Sequence, residues 1–301
     1  MCFAERLTEV WQTAQEIPCD ETAKFVFLSD CHRGDNSWAD DFAHNQNVFF
    51  HALEHYYDQG FTYVEVGDGD ELWENHKFEE IRQAHSHVFW LLDRFHRQGR
   101  FHLIFGNHDM ERRYASQVER TLCKAYYNVR TRKEVQPFEG IQVHEGLVLR
   151  YSDSSSEGRI FVVHGHQVDP INDRCWRFSR FVVRHFWRHL QLVGIRDPTS
   201  PAKNYKKRQK IEDRIEGWVK DKGQMIICGH THRSRFPDPD KGEVPFFNTG
   251  SCVHPRCITG LEIEGGQIVL VKWWVRSVPG GGLHVVREPM EGPRPLGDFF
   301  S

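Results

Sequence analysis

Five short clusters of carboxylate, amide and imidazole side chains punctuate this chain. They are Asp30-x-His32, Gly67-Asp68-x-x-Glu71, Gly106-Asn107-His108-Asp109, His164-Gly-His166 and Gly229-His230-Thr-His232. All three side-chain types ligate metals. A mixture of oxygen and imidazole nitrogen suits Mn, Fe or Zn and is too rich in nitrogen for a calcium or magnesium cage. Histidine, the commonest side-chain metal ligand, occurs 19 times in 301 residues, so a metal centre is worth seeking. Taken singly, each cluster has an ordinary reading: Gly-Asp as a turn, Asn-His-Asp as a helix cap. Taken together they share one feature, since each directly follows a short apolar run.

Those runs are the elements that must position the clusters. Residues 24–29, 61–66, 101–105, 159–163 and 224–228 read as buried strands. Residues 42–59 and 74–98 read as helices, with Gly60 and Gly99 as their stops. The first half is therefore a parallel βαβαβ pattern, in which strand ends converge on one edge of a sheet. Beyond residue 126 the pattern turns antiparallel: 141–151 and 159–163 read as strands joined by a polar turn, and 246–274 alternates strands and turns. Helices are expected over 173–192 and 203–222. Residues 1–18 read as an amphipathic helix. The tail from 278 is rich in Gly and Pro and carries little core material. The resulting organisation is an N-terminal helix (1–20), one α/β domain (21–277) with a helical insertion (170–222), and a C-terminal tail (278–301).

The ordered set resembles the calcineurin-like metallophosphoesterase family, whose motifs D-x-H, G-D-x-x-[DE], G-N-H-[DE], a strand-end His and G-H-x-H all stand here, over about residues 24 to 275. The resemblance implies a four-layer α/β/β/α sandwich around two divalent transition metals, Mn first, with Fe or Zn as alternatives. Asp30, His32 and His232 would hold one metal and Asn107, His164 and His230 the other, with Asp68 between them and Glu71 in support. Such a pair polarises a phosphoryl group and acidifies a bridging water, whose hydroxide attacks phosphorus in line. His108 would donate a proton and Asp109 would orient it; His166 is either a support for the ligands or a plain structural residue.

The insertion bears on the substrate. Arginines at 174, 177, 180, 184 and 188 share one helical face, and residues 172–212 hold eleven Lys or Arg against three Asp or Glu in a chain of net charge -3. A basic, aromatic cap suits an anionic and partly apolar substrate. An insertion at this place resembles that of the UDP-2,3-diacylglucosamine pyrophosphatases, in which a Ser-x3-Asn-x2-Lys pattern contacts the substrate, and Ser200, Asn204 and Lys207 stand at that spacing. The match, with Ser29-Asp-x-His-x-Gly34, is similar to the UDP-2,3-diacylglucosamine pyrophosphatase group, and Arg33 joins the expected substrate contacts. The expected activity is hydrolysis of a phosphodiester or pyrophosphate bond in a phosphorylated, lipid-linked substrate. The alternatives are a nuclease or phosphomonoesterase on the same metals, or a membrane-associating scaffold with a vestigial site. The eight cysteines form no C-x-x-C pair and no apolar run approaches the roughly 20 residues of a spanning helix. A cytoplasmic location is expected, with peripheral contact to an anionic membrane through the cap and no stable nucleic-acid partner.

Overall fold

The computed structural model describes residues 3–128, 132–173, 175–183 and 204–300. Its strands are β1 (Gln15–Asp20), β2 (Lys24–Leu28), β3 (Thr62–Val66), β4 (Phe101–Ile104), β5 (Tyr126–Asn128), β6 (Lys133–Val135), β7 (Val143–His144), β8 (Gly146–Ser152), β9 (Glu157–Val163), β10 (Met225–Cys228), β11 (Phe246–Asn248), β12 (Cys257–Glu264), β13 (Gln267–Ser277) and β14 (Leu283–Pro295). Seven form one sheet in the order β14-β13-β12-β2-β3-β4-β7, and five form another in the order β1-β8-β9-β10-β11. The helices are α1 (Phe3–Thr13), α2 (Gln46–Asp58), α3 (Phe78–Ala84), α4 (Ser86–Arg97), α5 (Ala115–Arg120), α6 (Pro170–Asp173), α7 (Trp176–Val182) and α8 (Tyr205–Lys222).

Alternation along the strands sorts the core into layers. In β2, Phe25 and Phe27 face the second sheet and meet Leu147, Leu149, Ile160, Val162 and Ile227. Val26 and Leu28 face outward against Phe49, Leu53 and Tyr56 of α2 and Leu91 of α4. A strand covered on both faces reads as a continuous apolar run. On the far side, Leu7 and Val10 of α1 and Ile211, Ile215 and Trp218 of α8 cover Phe161, Val163 and Ile226. The layers are thus helix, sheet, sheet, helix, as expected.

Several elements differ from the sequence reading. The N-terminal helix stops at Thr13, and Gln15–Asp20 is an edge strand parallel to β8. Pro18 is tolerated there because an edge strand leaves one row of backbone groups unpaired. The expected strand 141–151 is two strands in different sheets: β7 pairs β4, and β8 pairs β9. The chain crosses between sheets at Gly146, where an added Cβ would stand 2.9 Å from both Phe161 and Val10. The expected helix 74–98 breaks at His85, whose buried Nε2 lies 2.9 Å from Asp40. The tail is no appendage. β14 pairs antiparallel with β13, and Leu296 and Phe299 are buried between the sheets. Helix α8 also leaves the proposed cap: β9 and β10 are parallel, so their connection needs a crossover helix, and α8 supplies it as part of the outer layer. What remains of the insertion among the described residues is α6 and α7. Arg174, Arg184, Arg188 and Ser200 lie outside the described residues.

Candidate metal centre

Every expected ligand sits just past the carboxyl end of a strand. Asp30 and His32 follow β2, Asp68 follows β3, Asn107 follows β4, His164 follows β9, and His230 and His232 follow β10. Five of them, Asp30, His32, Asp68, His230 and His232, have φ between 48° and 66°. The left-handed region costs a non-glycine residue of order 1–3 kcal/mol and persists only where its surroundings hold it. Here they do. Asp30 N donates to Gly67 O at 3.1 Å, His32 N to Asp68 O at 2.9 Å, and Glu71 N to Arg33 O at 3.0 Å. His230 N donates to Asp30 Oδ2 at 2.9 Å, and His108 N to Asp68 Oδ1 at 2.8 Å. The motif glycines make room for this: a Cβ on Gly106 would collide with the Asp68 carboxylate, and one on Gly67 (φ 80°) would stand 2.6 Å from the His164 ring.

The ligands gather into two groups. The donor atoms of Asp30, His32 and His232 lie within 4.8 Å of one another, as do those of Asp68, His164 and His230. Asp68 stands between the groups, with Oδ2 3.2 Å from His164 Nε2 and 3.8 Å from His32 Nε2. Asn107 is buried, next in the chain to His108, whose N donates to Asp68 Oδ1. Asn107 Oδ1, His164 Nε2 and His230 Nε2 are all buried, and none makes a hydrogen bond among the described residues. Leaving a buried polar atom unpaired costs about 1–3 kcal/mol, so several at one spot mark the place of an absent partner. The donor set and the partnerless atoms fit divalent cations.

Glu71 organises the flank. One carboxylate oxygen is 2.8 Å from His32 Nδ1, and the carboxylate also holds His108 Nδ1 at 2.7–2.8 Å. That fixes His32 with Nε2 toward the centre, the usual duty of a carboxylate behind a ligating imidazole. Burial pushes the Glu71 carboxyl up, but His108 and His32 outweigh it and hold it at about 2. Burial pushes His108 down, yet Glu71 and Asp68 outweigh it and hold it up at about 10. Its ring stacks on Trp73 at 4.2 Å between centroids.

Asp109 does not orient His108, contrary to the sequence expectation. Its buried oxygens accept from Gly106 N at 2.6 Å and Gly69 N at 3.0 Å, tying together the two ligand loops. Burial, with the charge of Asp68, pushes it up to about 7. Arg33 is likewise misread as a substrate contact. It is fully buried, with Nη1 and Nη2 each 2.7 Å from Glu65 and Nε 2.7 Å from Asp70. His166 is buried with its ring 5.5 Å from that of His164, and burial holds it well below the usual value. Asn204 Oδ1 caps α8, accepting from Lys207 N at 3.1 Å. Lys207 does reach the centre: Nζ is 2.9 Å from Asp169, whose same oxygen is 3.7 Å from His230 Nε2. Asp169 was missed because it stands in no motif, and Trp73, which closes the Gly67-Asp-Gly-Asp-Glu-Leu-Trp73 stretch, was given no role; only the fold brings them to the centre.

A family model described as calcineurin-like phosphoesterase matches residues 23–234. No curated protein sequence matches the chain. Among solved structures, a cold-active protein-tyrosine phosphatase of a psychrophilic Shewanella species is 15% identical, with a TM-score of 0.41 over 92% of this chain and 83% of that one. Vps29 of Chaetomium thermophilum is 10% identical, with a TM-score of 0.39 over 92% of this chain and 100% of that one.

Proposed function

The chain belongs to the calcineurin-like phosphoesterase family, and we propose that this metal-dependent phosphoesterase hydrolyses a phosphodiester or pyrophosphate bond in an anionic, partly apolar substrate of the UDP-2,3-diacylglucosamine kind. The observation that carries the reading is the two ligand groups that meet at Asp68, with Asn107 Oδ1, His164 Nε2 and His230 Nε2 buried and making no hydrogen bond among the described residues. Asp30, His32 and His232 would hold one cation and Asn107, His164 and His230 the other, with Asp68 shared and Mn the first candidate. Bound there, two divalent cations offset the charge of a phosphoryl group and acidify water.

The chain's own residues do the rest. Hydrolysis places a water oxygen on phosphorus and breaks the bond to the leaving oxygen, which keeps the electron pair and needs a proton. His108 has Nδ1 held by Glu71 at 2.8 Å, which leaves Nε2 as the atom to donate that proton. Asn107, a neutral amide, adds no negative charge to a centre that must accept a phosphate. Lys207, steered by Asp169, sets a cation beside the His164–His230 side of the centre. Helix α7 presents Arg177 with Phe178 and Phe181, which are 69% and 54% exposed. Paired charge and apolar surface favour an amphiphile and contact with an anionic membrane. No helix among the described residues is long and apolar enough to cross one.

Manganese-loaded protein is expected to release UMP from UDP-2,3-diacylglucosamine and to hydrolyse bis-p-nitrophenyl phosphate, both reversibly lost on chelation. Cleavage of the chromogenic diester alone would keep the metal centre and discard the lipid. No cleavage of either with Mn, Fe or Zn would remove the catalytic reading.

Charge reversal at Arg177, Arg184 and Arg188 tests the cap. Turnover of the lipid-linked substrate is expected to fall well below that of the small diester. Equal losses on both would make these arginines structural.

A further inference from the structure

Trp73 stands two residues past Glu71. Its indole stacks on His108 with 4.2 Å between centroids and 23° between planes. His32 packs against the same imidazole with 4.5 Å between centroids and 85° between planes. Glu71 pins one ring nitrogen, but a single hydrogen bond leaves the imidazole free to swing about it; the flat indole removes that freedom. Trp73 N also donates to Glu71 Oε1 at 3.2 Å, so the indole and the carboxylate that hold His108 are part of one turn.

Behind Trp73 lies a separate small core of Trp73, Phe105, Met110 and Trp176, all buried. Trp176 comes from α7. The same helix is tied to the other side of His108, since Arg180 pairs with Glu111 in the Met110–Arg113 turn and lies 4.9 Å from the Trp176 ring. The cap helix therefore braces both the indole that faces His108 and the turn that follows it.

We propose that Trp73 is a positioning residue for His108, seated in place by Trp176 of the cap. The inference rests on the reading of His108 as proton donor to the leaving oxygen. A misplacement of about 1 Å costs such a group on the order of a hundredfold.

The test is leaving-group dependence. An alkoxide leaving group needs a proton, whereas p-nitrophenolate departs without one. Turnover of a methyl p-nitrophenyl diester, losing p-nitrophenolate, is compared with that of a dialkyl or nucleotide alkyl diester in the Mn-loaded full chain. His108→Asn is expected to lose more on the alkyl than on the aryl leaving group. Trp73→Leu should show the same bias, by about ten- to a hundredfold, Trp73→Phe should recover most of it, and Trp176→Leu should show it more weakly. Metal content and Tm are recorded for each variant. If Trp73→Leu does not fold, Trp73→Met, apolar but without a flat face, takes its place. A bias in His108→Asn that is absent from both Trp73 variants and from Trp176→Leu overturns the positioning role. No bias in His108→Asn itself refutes the donor reading, and this inference with it.

Discussion

Asp68→Ala is expected to lower phosphodiester turnover by more than about a hundredfold and to leave the protein with markedly less bound metal after dialysis. Replacing residues that merely support a ligand costs about 10–100-fold in affinity or activity. Asp68 touches more than a supporting residue does. One oxygen lies between His32 and His164, the other accepts from His108 N at 2.8 Å, and His32 N is bonded to its carbonyl. Burial works against its charge, but His164 and His108 outweigh it and hold the carboxyl well below the usual range. Among the described residues it is the carboxylate placed between the two ligand groups. Losing it should weaken both, whereas Asn107→Ala should weaken the group that holds His164 and His230. Metal stoichiometry by elemental analysis, read beside turnover at saturating Mn, separates the two. Full metal retention in Asp68→Ala with normal turnover would remove Asp68 from the centre.

The centre was legible in the sequence because its physics is local. A ligand must sit at a rigid strand end, and a short apolar run followed by Asp, Asn or His records that requirement within ten residues. The motif glycines are readable for the same reason: Gly67 and Gly106 stand where a Cβ would strike His164 or Asp68. What stayed hidden depends on contacts between distant stretches. Gln15-Glu-Ile-Pro-Cys-Asp20 alternates weakly and becomes a strand only because β8 offers an edge. The Gly- and Pro-rich tail hides Leu283–Pro295, a strand on the far edge of the seven-stranded sheet, where Pro is tolerated. Helix 203–222 looks like cap from its lysines, yet its Ile211, Ile215 and Trp218 belong to the outer layer. Asp109 and Glu71 are equally good carboxylates in sequence. Which of them faces His108 is decided by the turn after β3, where Arg33 pairs with residues 69–71.

Arg33→Met is expected to destabilise the protein by about 3–5 kcal/mol, because it would leave Glu65 and Asp70 charged and underpaired in the core. The guanidinium is fully buried. It gives two parallel bonds of 2.7 Å to Glu65 and a third of 2.7 Å to Asp70, which also pairs with Arg112. Tyr63 adds its hydroxyl to Glu65 at 2.9 Å. This network lies under the 67–71 turn that carries Asp68 and Glu71, so its loss should also loosen the metal centre. A planar fork meets this geometry and an ammonium does not. Arg33→Lys should therefore fall between parent and Arg33→Met, and Glu65→Gln should recover part of the Arg33→Met loss by removing the stranded charge. Thermal denaturation of the metal-stripped proteins reads this directly, since cations cannot then mask it. A drop of about 10 °C in Tm is the expected scale. An unchanged Tm with a raised KM would return Arg33 to the substrate site that its position in Asp30-x-His32-Arg33 had implied.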